Sequence, residues 1–237
     1  MCGFAGLWGT HCKVAEPARI ANRMAEALSH RGPDDAGTWS EPSAGLAIAH
    51  QRLAVLELST AGQQPMESAD GRMVIAYNGE IYNHHALRAA LPDPPPWRGD
   101  SDTETLLAAI AHWGVEAALQ RTRGMFAFAL WDRETATLTL ARDRLGEKPL
   151  YYGWASGAFL FASELAALEA WPGFEGAVDP EALAALLRFG YVPAPRSIYR
   201  HICKLEPGAV LTITRPATGS PPDRLPEAGH GSPGLTI

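Results

Sequence analysis

The chain has 237 residues, 46% of them hydrophobic and 19% charged, with a formal net charge of −6. That size supplies enough apolar surface for a core in one large or two small domains, and the composition is globular rather than disordered or fibrous. The acidic balance argues against nucleic-acid or membrane-surface partners, which need a clustered positive field.

The longest charge-free stretch, fifteen residues from Pro149 to Ser163, is too short and too polar to span a bilayer. No basic segment precedes an apolar one at the N-terminus, so a secretory leader is not expected. Cys2, Cys12 and Cys203 show no CxxC spacing and fit a reducing compartment, so the expected location is cytoplasmic.

In chain order, the first chemical feature is Met1-Cys2-Gly3. A small second residue permits removal of Met1, which would leave Cys2 with a free α-amine. A model α-amine titrates near about 8 and a model thiol near about 8.5, so nucleophile and base would share one residue near neutral pH. By itself, a second-position cysteine reads better as a structural or incidental residue.

Phe4–Trp8 reads as a strand and Pro17–Ser29 as a helix, stopped by His30-Arg-Gly-Pro-Asp-Asp35, a turn or a buried functional loop. Leu46–Ala49 and Leu53–Leu56 read as strands. Between them Arg52 is an edge charge or a fork for a substrate carboxylate. The strand Met73–Tyr77 runs into Asn78-Gly79, a strong hairpin-turn signal that also offers two donors to an oxyanion.

His85–Leu91 and Thr103–Trp113 read as helices, the second capped by Ser101 or Asp102. The carboxylates of Gly99–Glu104 serve the cap or meet a substrate ammonium. His84-His85 is a weak metal signal, since adjacent side chains should point apart and no ligand lies at suitable spacing. Met125–Trp131, Leu138–Ala141, Leu150–Gly153 and Phe159–Ala162 look like an antiparallel meander. Met125–Trp131 is apolar throughout, so both of its faces must be covered, as in a layered α+β body.

Glu164–Ala170 and Pro180–Phe189 complete the helices, the latter capped by Asp179, and Ala209–Ile213 is the last strand. From Arg215 to Ile237, nine of twenty-three residues are Pro or Gly. That segment reads as a disordered tail or the start of a linker after a body at 2–214. Its Gly229-His-Gly231-Ser-Pro-Gly234 has dinucleotide-loop spacing, but no strand precedes it and Pro233 forbids the helix.

Together these motifs resemble the glutaminase domain of class II glutamine amidotransferases, which are N-terminal-nucleophile hydrolases. The likeness is carried by Met1-Cys-Gly3, His30–Asp34 and Tyr77-Asn-Gly-Glu-Ile-Tyr-Asn83. Ser101–Glu104, Gly124–Asp132, Arg142–Tyr152 and Ala162–Glu164 make it most similar to glutamine-hydrolysing asparagine synthetases. The resemblance implies a four-layer αββα sandwich.

It further implies that the Cys2 thiolate attacks the glutamine amide, with Asn78 (side chain) and Gly79 (N–H) stabilising the oxyanion. Arg52 would clamp the α-carboxylate, Asp102 and Glu80 the α-ammonium, and Leu53 and Val55 would line the pocket. The family's Ser-Gly-Gly-x-Asp-Ser pyrophosphate loop does not occur in this sequence. The resemblance therefore implies no cofactor here, with ATP and magnesium belonging to a synthetase domain or subunit that takes the ammonia. It leaves a homodimer open. Two alternatives are a glutaminase domain serving another acceptor, and a catalytically idle regulatory domain.

Overall fold

The computed structural model describes residues 1–9, 17–214 and 235–236. In chain order these form β1 (Gly3–Trp8), α1 (Pro17–Glu26), β2 (Asp35–Glu41), β3 (Leu46–Arg52), β4 (Met66–Glu67), β5 (Met73–Ile81), α2 (His84–Ala90), α3 (Asp102–Trp113) and α4 (Val115–Arg121). Then follow β6 (Gly124–Asp132), β7 (Thr137–Arg142), β8 (Tyr151–Ala155), β9 (Ala158–Ala162), α5 (Leu165–Glu169), α6 (Pro180–Phe189), β10 (Ile202–Lys204), β11 (Val210–Ile213) and β12 (Leu235–Thr236). The strands make two antiparallel sheets, ordered β10-β8-β9-β1-β3-β2 and β12-β11-β7-β6-β5-β4.

Strand alternation builds the layers. In the first sheet Phe4, Trp8, Leu46 and Ile48 face the second sheet, where they meet Val74, Ala76, Ala129 and Trp131. Trp8 packs edge-on against Trp131, with ring centroids 5.1 Å apart. The intervening residues Ala5, Leu7, Ala47 and Ala49 face outward onto Ile20 and Met24 of α1 and Leu168 of α5. In the second sheet Ile75, Phe126, Phe128 and Leu130 face outward onto Leu87, Leu106, Ile110 and Ala118 from α2, α3 and α4. Three apolar interfaces thus separate four layers, helices–sheet–sheet–helices. The unbroken apolar run of β6 is explained: alternate residues serve the inter-sheet core and the helix layer.

Three sequence expectations about local structure are corrected. Asn78-Gly79 is not a turn: both lie inside β5, paired with Ala127 and Phe126 of β6. The apolar residues on each side continue one strand, and the long partner β6 overrides the local turn preference. Leu53–Leu56 is not a strand but a loop, with Val55 and Leu56 about half exposed. The expected meander divides into two hairpins, β6–β7 in the second sheet and β8–β9 in the first. Arg142 at the end of β7 bonds the carbonyls of Gly146, Lys148 and Leu205, turning the chain from one sheet to the other.

The edge strands β2, β4 and β10 and the short helix α4 carry weak apolar patterns and were not anticipated. The His84 and His85 rings do not point apart: their centroids are 4.0 Å from one another. Of the expected tail, Leu235–Thr236 form β12, paired with β11, and are not a free end; residues 215–234, Cys12 and the glycine-rich segment at 229–234 lie outside the described residues.

Candidate active site

Cys2 stands immediately before β1, at the end of the first sheet where β3 finishes at Arg52. The Leu53 N–H points at its sulfur, with N to Sγ 3.4 Å, and the Leu53 carbonyl lies 3.6 Å from it. Burial pushes the thiol up from its ordinary value, while the Leu53 N–H and the nearby N-terminal charge pull the other way. The Leu53–Leu56 loop is irregular because it leaves β3 to present this amide to the sulfur.

The Cys2 main chain is held from below. Arg31 Nε donates to the Cys2 carbonyl at 2.8 Å, and its Nη1 pairs with Glu164. Asn78, 1% exposed, faces the same carbonyl and Arg31; the amide orientation that satisfies both turns its nitrogen to the Cys2 carbonyl (3.1 Å) and its oxygen to Arg31 Nη2 (3.2 Å). Arg31 and Glu164 are therefore structural braces of the site. Both belong to motifs noticed in the sequence, His30–Asp34 and Ala162–Glu164, but no local pattern assigns them that task.

A small cleft opens beside Cys2, with about 350 Å³ of empty space including the solvent at its mouth. Cys2, Arg52, Leu53, Val55, Gly79, Glu80 and Asp102 all line it. Of the expected site residues, Asn78 alone does not. It sits behind Cys2 rather than in the cleft.

Alternation along β5 decides where the Gly79 amide points. The N–H groups of Tyr77 and Ile81 are taken by Gln64 Oε1 (2.6 Å) and Asp102 Oδ2 (2.8 Å), on the edge away from β6. The Tyr82 N–H goes the opposite way, to Arg123 O. Gly79 lies midway between 77 and 81, so its N–H faces the same edge. At that position the edge is open, because β4 pairs only with Val74 and Ile75. A Cβ at 79 would stand 2.4 Å from the Met125 carbonyl, so β5 can run this close to β6 only with glycine there.

The charges are divided between the two sides of the cleft. On the first-sheet side Arg52, 7% exposed, donates Nη1 to Ser59 O at 3.1 Å and Nη2 to Glu57 O. Carbonyls fill its fork without cancelling its charge, and Asp35 is 3.9 Å away. A Cβ on Gly62 would crowd Nη2, so a larger residue there would push the guanidinium aside. On the second-sheet side the Asp102 carboxylate, at the N-terminus of α3, accepts from Tyr77 Oη (2.9 Å) and the Ile81 N–H.

The α3 cap itself is Ser101, whose hydroxyl accepts from the Thr103 N–H, leaving Asp102 free to face the cleft. Burial pushes the Asp102 carboxyl up, and burial together with Asp102 does the same to Glu80. Among the described residues no cation forms an ion pair with Asp102, which leaves a buried acid open to a positively charged ligand. Gln64 and Glu57 complete the site without any signal in the local sequence, and Tyr77 opens the Tyr77–Asn83 motif without having been given a role.

A glutamine amidotransferase domain model matches residues 1–221. The chain belongs to the glutamine amidotransferase domain family. It is 37% identical, over 90% of its length, to asparagine synthetase [glutamine-hydrolyzing] 1 of Bacillus subtilis. It is 38% identical, over 71% of its length, to asparagine synthetase B [glutamine-hydrolyzing] of Escherichia coli. The chain spans only 33% and 30% of these two relatives. The solved glutamine phosphoribosylpyrophosphate amidotransferase of B. subtilis shares the fold, with a TM-score of 0.67 at 22% identity, covering 92% of this chain and 49% of that one. The αββα architecture expected from the motifs is the one observed.

Proposed function

We propose that this domain hydrolyses glutamine to glutamate and ammonia through a thioester on Cys2, and that the ammonia serves an asparagine-forming synthetase acting on aspartate. The observation that carries the reading is one small cleft combining a thiol, a glycine N–H on an open strand edge, a buried cation, the buried carboxylate of Asp102 and the partly buried one of Glu80. A cation on one side and acids on the other suit the two charged ends of an α-amino acid, which leaves the side-chain amide for the sulfur.

Removal of Met1 makes the α-amine of Cys2 the N-terminus. That amine takes the thiol proton as sulfur attacks the amide carbon. The oxyanion of the tetrahedral intermediate receives the Gly79 N–H; the Asn78 amide, held against the Cys2 carbonyl behind the nucleophile, joins it by turning one of its N–H groups into the cleft. Such donors are typically worth about 10²–10³ in rate each. The α-ammonium of Cys2 returns the proton to the departing nitrogen, ammonia leaves, and the γ-glutamyl thioester remains. Water, deprotonated by the same amine, then breaks the thioester, releasing glutamate and restoring the thiol.

Arg52 orients the substrate carboxylate, Asp102 and Glu80 its ammonium, and Leu53 and Val55 bound the cleft. Every proton moves between groups of this chain and the substrate, so the half-reaction asks for no cofactor from it. ATP and magnesium belong with aspartate activation in the partner. The unit that carries this chemistry is residues 2–214. Among the described residues no helix is long and apolar enough to cross a membrane, and a cytoplasmic setting goes with the free thiol the reaction needs.

The test is ammonia release from glutamine by protein whose Met1 removal is verified by mass. Wild type should release it and Cys2→Ala should lose turnover. Equal rates for the two proteins would dismiss the reading in favour of an idle or differently built site.

A further inference from the structure

Tyr77 is a residue of the cleft with no task in the scheme above. It is 2% exposed on the helix-facing side of β5, in the apolar cluster with Phe128 and Leu106, and its hydroxyl donates to Asp102 Oδ2 at 2.9 Å. Burial and the neighbouring Asp102 push that hydroxyl well above its ordinary value, so it keeps its proton for this bond. The main chain of the same residue is tied on both sides, its N–H to Gln64 Oε1 at 2.6 Å and its carbonyl to His50 Nε2 at 3.0 Å. The ring is thus fixed at its root as well as by its packing.

We infer that Tyr77 is a positioning residue for the ammonium of the substrate: its hydroxyl draws the Asp102 carboxylate away from its own helix toward the cleft and holds it there by one oxygen. The inference rests on the glutamine reading above. A carboxylate in the first turn of a helix is attracted to the free N–H groups at that end. In α3 the Ser101 hydroxyl already takes the Thr103 N–H, and Asp102 reaches across to β5 instead, where the Tyr77 hydroxyl and the Ile81 N–H both meet Oδ2. Oδ1 is left to meet a cation. A hydrogen bond to the charged form also favours that form, which works against the burial that pushes this acid up. The ammonium therefore finds a carboxylate that is both aimed and charged.

Charged and titratable groups face Asp102 from each neighbouring element. On β5, Glu80 is pushed up by burial and by the Asp102 charge. His84 at the start of α2 and the Thr103 N–H on α3 favour the Asp102 charge, more weakly than Ile81 and Tyr77 do. Cys2, before β1, and Arg52, on β3, line the same cleft. Among the described residues, Tyr77 is the member of this set whose side chain hydrogen-bonds the carboxylate.

The experiment is the titration of Asp102 in protein that begins at Cys2, alongside the pH profile of kcat/KM for glutamine. The titration follows the side-chain carboxyl carbon by NMR under selective Asp labelling, with the resonance assigned by its loss in Asp102→Asn. In Tyr77→Phe, which keeps the ring, the Asp102 midpoint should rise by about one pH unit. The acid limb of kcat/KM should rise by the same amount, with the change falling on KM rather than kcat. A ring-fluorinated tyrosine at the same position is a stronger donor and should move both the other way. An Asp102 midpoint unmoved in Tyr77→Phe, whatever happens to the melting temperature, would reduce Tyr77 to packing and overturn the role. So would a moved midpoint with an unmoved acid limb. A moved midpoint in protein whose wild type does not hydrolyse glutamine would overturn the functional reading and leave the hold of Tyr77 on Asp102 standing.

Discussion

The two sides of the cleft are built differently. The first-sheet side offers the thiol of Cys2 and the cation of Arg52, held by loop groups: the Leu53 amide and the carbonyls of Glu57 and Ser59. The second-sheet side offers an N–H and two acids from regular elements, the C-terminal end of β5 and the first turn of α3. A strand edge and a helix start fix their groups through main-chain hydrogen bonds, whereas the loop on the other side can adjust around a ligand. The reacting sulfur therefore sits opposite a rigid template that sets where the substrate's ammonium and oxyanion lie.

The tie between the sides is His50, the largest expected effect on stability. It is 1% exposed on β3, and its Nε2 lies 3.0 Å from the Tyr77 carbonyl on β5. That geometry requires a ring with hydrogen on Nε2, and burial pushes its pKa down to about 4 from 6.5. The folded value lies below the unfolded one, so the unfolded chain binds this proton more readily. The stability His50 contributes is complete above pH 6.5 and is lost as pH falls through 6.5 toward 4, to the extent of about 3 kcal/mol. Urea unfolding between pH 7 and pH 4 checks this. His50→Gln should flatten the dependence in that window, and an unaltered slope would separate the two sides energetically.

A smaller effect sharpens the contrast. Asp102→Asn keeps an oxygen for Tyr77 and Ile81 but removes the charge, so the template should survive and its hold on an ammonium should weaken. The expected outcome is a rise in glutamine KM of about tenfold to a hundredfold, with kcat changed little, because the contact is already made in the ground state. Steady-state kinetics decide it. A fall in kcat at constant KM would assign Asp102 to the chemical step instead.

The legible part of the fold was whatever a period of two or 3.6 could carry. β6 announced its two covered faces by being apolar throughout, and α3 and α6 announced their starts through Ser101 and Asp179. What stayed hidden depended on partners distant in sequence. Asn78-Gly79 reads locally as a turn, yet nine residues of β6 hold it extended. The polar edge strand β2 has no apolar pattern of its own and exists because β3 pairs along its whole length. Leu53–Leu56 looked like a strand because a loop that shields a thiol is also apolar.

In the site, the order of motifs brought out Cys2, Arg52, Gly79 and Asp102. It did not bring out Arg31 with Glu164, whose contact spans 133 residues, or the place of Asn78 behind the nucleophile.

The central claim is that Cys2, freed of Met1, is the nucleophile in a cleft shaped for glutamine. The most direct measurement is covalent capture by a glutamine analogue carrying a diazoketone in place of the side-chain amide, followed by mass mapping. The expected result is one adduct, on the sulfur of an N-terminal Cys2, suppressed by glutamine and not by glutamate or asparagine at equal concentration. An adduct on another residue, or capture indifferent to glutamine, would contradict the account.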